Sequence, residues 1–212
     1  MQLYQFTVNP FYENTYLATE GENAVLFDPG FFDDNEFKQF ESKLQESGVG
    51  LSAIVLTHAH VDHVIGLKKV KQKYDVPVYL HQEDLFFWEN YVMQASMFGL
   101  EVEPFDFNPT HLDPQKNWSE TGISFDVLFT PGHAPGHLSF YREQEGLVIA
   151  GDTLFQGSIG RTDLYKGDMQ TLANSIREKL YTLPDDTVVY PGHGPATKIG
   201  VEKKTNGFVR SD

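Results

Sequence analysis

The segment Thr57-His58-Ala59-His60-Val61-Asp62-His63 puts three imidazoles and a carboxylate on one turn. With 8 His in 212 residues, chance places such a string in roughly one chain in a thousand, so a metal-binding reading outweighs that of a solvated, His-rich helix start. Three further segments carry the same residue types. In Pro131-Gly132-His133-Ala134-Pro135-Gly136-His137 the Gly and Pro residues hold a tight backbone that would fix His133 as a ligand. His137 opens the next strand, where a hydrogen-bonded role behind a ligand is the better reading. Gly151-Asp152-Thr153-Leu154-Phe155 sets a carboxylate directly after an apolar run, and Pro191-Gly192-His193-Gly194-Pro195 follows another. Taken alone, Asp152 reads as a cap or turn residue.

Five His and two Asp exceed the needs of one catalytic ion, which takes about three protein ligands and keeps a position open. Two divalent ions account for them better: one held by His58, His60 and His133, the other by Asp62, His63 and His193, with Asp152 bridging. A water shared by such ions is acidified enough to serve as a nucleophile near neutral pH. The donor set suits zinc first, with iron or manganese as alternatives.

Such ligands need rigid elements behind them. Apolar runs bounded by turn residues predict strands at 23–28, 52–57, 77–80, 123–129, 138–142, 147–151 and 187–190, and a hairpin at 2–8 and 14–19. Each metal motif therefore begins where a strand ends. Helical spacing appears at Phe37, Phe40 and Leu44, at Val64, Leu67 and Val70, and at Met169, Leu172, Ile176 and Leu180, the last behind an Asp168 N-cap. Residues 85–118 predict a helix and then a long loop; the aromatics Phe86, Phe87, Trp88, Tyr91 and Phe98, with Met97, serve there as core or as a pocket lining. No repeat, linker or composition shift divides the chain, so one domain over 1–212 is expected.

Composition narrows the partners. Lys+Arg 16 against Asp+Glu 30 gives a net charge of -14, which opposes nucleic-acid binding. The absence of Cys removes disulfides, thiolate metal sites and thiol nucleophiles together. No Lys or Arg precedes Lys38, as a secretory or transit segment would require, and no apolar run approaches the ~20 residues of a membrane span. A cytoplasmic protein with no membrane or nucleic-acid partner is expected; the oligomeric state stays open.

HAHVDH at 58–63, PGHAPGH at 131–137, GDTLF at 151–155 and PGHGP at 191–195 together resemble the motif series of the metallo-β-lactamase superfamily, in particular its glyoxalase II-like branch. The resemblance runs from Asp28, which fits the family's early strand-end Asp, to TNGFV at 205–209. It implies an α/β fold, an αβ/βα four-layer sandwich of two mixed β-sheets flanked by helices. QASMFG at 94–99 and GSIGRTDL at 157–164 are similar to short bacterial hydrolases of that branch. The implied activity is hydrolysis of a small-molecule thioester, S-D-lactoylglutathione or a relative, with Asp62 holding the attacking water as well as ligating, Arg161 meeting the substrate, and Asp28 supporting the ligands. The chain has no G-x-S-x-G elbow, consistent with a mechanism free of side-chain nucleophiles.

Two departures from glyoxalase II proper are expected to matter: that enzyme's extra C-terminal helical region is not expected here, and Asp163 stands where an aromatic follows the glutathione-contacting basic residue in that enzyme. GRTD at 160–163 also resembles persulfide dioxygenases, in which one iron would use His58, His133 and Asp152; His137 weighs against this, since that branch tends to carry Cys there. A lactonase or other ester hydrolase on the same scaffold, and a metal-buffering module without catalysis, complete the alternatives. His81 and His111 read as surface or packing residues, and Lys68, Lys69, Lys71 and Lys73 as one solvated helix surface. Arg161 and Lys166 are the cations best placed for a substrate carboxylate.

Overall fold

The computed structural model describes residues 1–210, which fall into two compact units. The first comprises residues 1–112 and 119–124, the second 113–118 and the residues from 125 onward. Each is built around one six-stranded mixed sheet.

In the first unit, β1 (Gln2–Val8), β2 (Glu13–Glu20), β3 (Asn23–Phe27), β4 (Gly50–Val55), β5 (Val78–Leu80) and β6 (Thr110–His111) lie in sequence order. The β1–β2–β3 meander is antiparallel, and β3 through β6 are parallel. Parallel neighbours need crossovers, and the helices α1 (Asp34–Ser47), α2 (Val61–Val64), α3 (Leu67–Lys73), α4 (Leu85–Glu89) and α5 (Tyr91–Met97) lie on those connections. Helix α1 starts at the Asp33 N-cap, whose carboxylate accepts from the N–H groups of Asn35 and Glu36. Its Phe37, Phe40 and Leu44 form the buried stripe that the sequence spacing predicts. Phe40 stacks on Phe31 with ring centroids 5.2 Å apart.

The second unit holds β7 (Gln115–Trp118), β8 (Phe125–Phe129), β9 (Leu138–Arg142), β10 (Leu147–Gly151), β11 (Leu154–Phe155), β12 (Ser158–Ile159), α6 (Met169–Ser175), β13 (Val188–Pro191), β14 (Thr197–Lys198) and α7 (Ile199–Thr205). Its main sheet runs β14-β13-β10-β9-β8-β7, parallel only between β10 and β13, and β11 with β12 makes a separate hairpin. Leu172, Ile176 and Leu180 cluster with Val148, Ala150 and Val189, each fully buried. A side chain of this size gains roughly 1.5–3 kcal/mol on full burial, so this stripe anchors α6 and the π-helical turn Ile176–Leu180 that continues it to β10 and β13. Asp168 caps α6, its carboxylate accepting the Thr171 N–H at 2.7 Å. Asp168→Ala should lower stability by about 1 kcal/mol, a drop of roughly 2–4 °C in a thermal melt. An unshifted melt would mean that the cap does not hold the helix.

The expected strands are present within one to two residues. Residues 85–118 differ from expectation: two short helices replace one, and β6 and β7 occupy what reads as loop. Strands of two and four residues are too short to show alternation. Phe105 lies between Trp88 and Tyr91, at centroid distances of 4.2 and 4.4 Å, so those aromatics serve the core, while Met97 and Phe98 are exposed. The lysines of α3 meet acidic partners, Lys68 with Glu103, Lys69 with Asp34, Lys71 with Asp75 and Lys73 with Glu41, as suits a solvated surface. Among the described residues, no helix is long and apolar enough to cross a membrane.

Candidate metal centre

In the first unit β3 and β4 run parallel, and their C-terminal ends deliver Asp28 and Thr57 side by side. Asp28 Oδ1 accepts the Thr57 N–H at 2.7 Å and Oδ2 accepts its hydroxyl at 2.6 Å. With its own proton given to Asp28, Thr57 Oγ1 acts as acceptor for His58 Nδ1, 2.9 Å away. The His58 proton therefore sits on Nδ1, and Nε2 keeps its lone pair. His63 Nδ1 lies 3.1 Å from Asp28 Oδ2; a carboxylate accepts, which gives His63 the same tautomer. Both rings are fully buried. Ligand atoms of Asp28, His58 and His63 fall within 4.8 Å of one another, yet the Asp28 carboxylate already serves three donors and acts as a support for the two imidazoles.

The His60 ring lies edge-on to His58 at 4.7 Å between centroids and to Phe87 at 4.4 Å. The peptide between His58 and His60 is clamped from both sides. Asp84 Oδ2 accepts the Ala59 N–H at 2.8 Å, and Gln94 Nε2 donates to the Ala59 carbonyl at 3.1 Å. Asp62 Oδ2 is 3.8 Å from His63 Nε2, and the Asp62 carbonyl accepts from Asn9 Nδ2 at 2.9 Å. Gly30 lies in this corner: a Cβ on it would stand 2.2 Å from Glu13 Oε2 and 2.5 Å from the Asp62 carbonyl oxygen, so no other residue fits.

Burial pushes the Glu13 carboxyl well above the ordinary carboxylate range, with His63 opposing the rise and Asp28 adding to it. The Thr15 hydroxyl donates toward Glu13 Oε2 at 2.8 Å and the Asp28 carbonyl at 2.7 Å, so Thr15 links the two acidic residues.

The second unit brings together His133, Asp152 and His193. Gly192 N–H donates to the Gly151 carbonyl at 2.8 Å, tying the turn after β13 to the turn after β10. Asp152 Oδ2 lies 3.5 Å from His133 Nε2 and 3.5 Å from His193 Nε2, one oxygen facing two imidazole nitrogens. His133 Nδ1 donates to the Arg161 carbonyl at 2.7 Å, which again leaves Nε2 as the basic nitrogen. His137 is oriented the other way: its Nε2 accepts the Asp152 N–H at 3.0 Å and its Nδ1 faces Thr130 Oγ1 at 3.0 Å, so its ring fixes the backbone of Asp152. Gly160 packs on the same segment; a Cβ there would stand 1.9 Å from the Asp152 carbonyl oxygen.

Arg161 turns its side chain to Asp163, with Nε and one terminal nitrogen each 2.7 Å from a separate carboxylate oxygen. The fork lowers the Asp163 pKa to about 2. His81 is buried with its Nδ1 accepting the Glu83 N–H, and its ring lies 5.6 Å from that of His111. Among the described residues neither belongs to a metal-binding group.

Asn9, Glu13, Asp84 and Gln94 support the candidate ligands and were not singled out from sequence. Each lies 25 or more residues from at least one group it supports, apart from the Glu13–Thr15 contact, so local spacing carries no trace of the contact. Gln94 alone lay inside a string with a family resemblance.

The profile of the family described as the Metallo-beta-lactamase superfamily matches residues 8–193. The chain is 40% identical over 218 residues to the probable metallo-hydrolase YqgX of Bacillus subtilis, covering 99% of this chain and 98% of that one. It is 37% identical over 207 residues to the hydroxyacylglutathione hydrolase GloC of Haemophilus influenzae, covering 96% of each. Among solved structures, TTHA1623 in a di-iron-bound form superposes with a TM-score of 0.87 at 40% identity, over 97% of this chain and 100% of that one.

Proposed function

This chain belongs to the metallo-beta-lactamase superfamily, with the α/β fold and metal-binding His and Asp residues of a metallo-hydrolase, and we propose that it is a binuclear hydrolase of thioesters. The ions would be divalent: one taking His58, His60 and His133, the other Asp62, His63 and His193, with Asp152 shared. Zinc is the first choice for this donor set, with iron or manganese as alternatives. The Arg161 carbonyl accepts from His133 Nδ1 at 2.7 Å, and Arg161 would meet the substrate.

The observation that carries the reading is the state of the imidazoles. His58, His63 and His133 each commit Nδ1 to an oxygen acceptor, Thr57, Asp28 and the Arg161 carbonyl respectively, which is how metal-ligating histidines are held and made basic. A carboxylate oxygen facing two Nε2 atoms at equal distance suits a bridging role. Divalent ions bound there supply Lewis acidity and lower the pKa of water. Asp62 would orient a water toward the substrate carbonyl and accept its proton. A thiolate departs without a strong general acid, and the chain has no Cys to act as a nucleophile.

The test is hydrolysis of S-D-lactoylglutathione and of the lactoyl thioester of N-acetylcysteamine by the purified protein, with a chelated control and metal analysis. Metal-dependent turnover of at least one, at kcat/KM above roughly 10⁴ M⁻¹s⁻¹, with two metals per chain, is the expected result. Negligible turnover of both overturns the reading, and one iron per chain beside it would point to oxygen chemistry at His58, His133 and Asp152. Cytoplasmic location, a single domain over the whole chain and the absence of nucleic-acid and membrane partners belong to the same proposal.

A further inference from the structure

We propose that Glu202 on α7 and Asn206 at its C-terminal cap are positioning residues of the metal centre: they hold the tip of the β11–β12 hairpin, whose two ends carry Asp152 and the carbonyl that orients His133. This rests on the metal-binding reading above and needs no particular substrate.

The hairpin leaves the centre and returns to it. Its outgoing strand begins two residues after Asp152, and its return strand leads into Gly160 and Arg161. The Gly160 N–H donates to the Thr153 carbonyl at 3.3 Å, and the Arg161 carbonyl accepts from His133 Nδ1 at 2.7 Å. The strands are joined at two residue pairs, Leu154 with Ile159 and Phe155 with Ser158. A two-stranded hairpin is marginal by itself, so its geometry depends on what grips its tip.

The grip is polar and buried. Glu202 is 1% exposed and Asn206 is fully buried. Glu202 Oε2 accepts the Gly157 N–H at 2.9 Å, and Asn206 Nδ2 donates to the Ser158 carbonyl at 3.0 Å. Asn206 Nδ2 also donates to Glu202 Oε2 at 2.9 Å, and Thr197 Oγ1 donates to Glu202 Oε1 at 2.6 Å. Asn206 Oδ1 accepts the N–H groups of Phe208 and Val209 at 3.0 and 3.1 Å, which seats Val209 in the core cluster with Leu154 and Ile159. Burying a carboxylate carries a desolvation cost that an apolar cover over the hairpin would avoid. What the polar grip adds is direction, because hydrogen bonds fix an angle as well as a distance. The string TNGFV at 205–209 thereby gains a task at the far end of the hairpin from the ligands.

The experiment measures zinc affinity by competition with a chromophoric chelator in the wild type, Glu202→Met, Asn206→Ala, Glu202→Gln and Tyr181→Phe. Methionine keeps the length of the side chain and removes both acceptors, and alanine at 206 removes the donor to Ser158. Glutamine can still set its carbonyl on Gly157 and Asn206 while its amide meets Thr197 Oγ1, so the grip persists. Tyr181→Phe removes the 2.7 Å bond from the Tyr181 hydroxyl to the Val209 carbonyl, loosening the same tail without touching the hairpin. Zinc binding should weaken about 10–100-fold in the first two variants, as when a group that orients a ligand is lost, and stay near the wild-type value in the other two. The absorption bands of the cobalt-loaded protein should shift in the same two variants. Unchanged affinity in Glu202→Met and Asn206→Ala, or an equal loss in Tyr181→Phe, overturns the proposal alone. A wild type that binds no zinc overturns the metal centre and the proposal with it.

Coupling between two sites is reciprocal, so the unmodified protein supplies a test that does not depend on the variants folding. Zinc should slow hydrogen exchange of the Gly157 amide about tenfold, within the usual range of such couplings. The Gly146 amide donates to the Glu143 carbonyl in the β9–β10 turn, at the opposite end of β10 from Asp152, and its exchange should not change. A Gly157 amide indifferent to zinc, or both amides slowed equally, refutes the proposal.

Discussion

Asp152→Asn should cost the protein bound metal and nearly all of its turnover. Asp152 Oδ2 is 3.5 Å from two imidazole nitrogens, and its backbone N–H is held by His137. Asparagine keeps the shape and the backbone contact while replacing an anionic oxygen by a neutral amide. Loss of a group that merely orients a ligand already costs 10–100-fold in metal affinity or activity. Loss of Asp152, if it bridges as proposed, should therefore exceed about 100-fold in both. Metal analysis after gel filtration, with kcat on the better thioester, reads the outcome. A variant that keeps two equivalents of metal and more than about half of its activity would remove Asp152 from the centre.

Asp62→Ala should lower kcat by about 10²–10⁴, the usual contribution of a positioned acid or base, with a further loss where metal is released as well. The side chain stands at the start of α2, with its carboxylate 3.8 Å from His63 Nε2 and its carbonyl fixed by Asn9. Only the carboxylate is removed by the substitution, so the Asn9 contact and the fold should persist. Loss of turnover with an unchanged melting temperature is the signature. Near-wild-type activity would sink the assignment of Asp62 as the group that holds the water.

How far each part was legible follows from the range of the forces that fix it. The strand-end position of the four metal motifs shows in the sequence because strands alternate and turns use Gly, Pro and Asp, all within a few residues. The buried stripe of α1 and the Asp168 cap are local in the same way. Residues 85–118 were less legible, because β6 is defined by partners 31 residues away and β7 by partners 7 and 12 residues away rather than by their own pattern. The aromatics there were ambiguous between core and pocket until Phe105 was placed between Trp88 and Tyr91.

By itself, the sequence determined the class of chemistry: imidazole and carboxylate ligands without thiolates, at spacings set by single turns, in an acidic chain with no Cys. Only the tertiary structure decided how each ligand is held. It placed Asp28 behind Thr57 and His63, put Asp84 and Gln94 on the Ala59 peptide, turned His137 toward the Asp152 backbone, and gave the Arg161 guanidinium to Asp163. The physical reason is that residue type limits which donors and acceptors exist, whereas proton positions and pairings depend on groups that meet only after distant strands align.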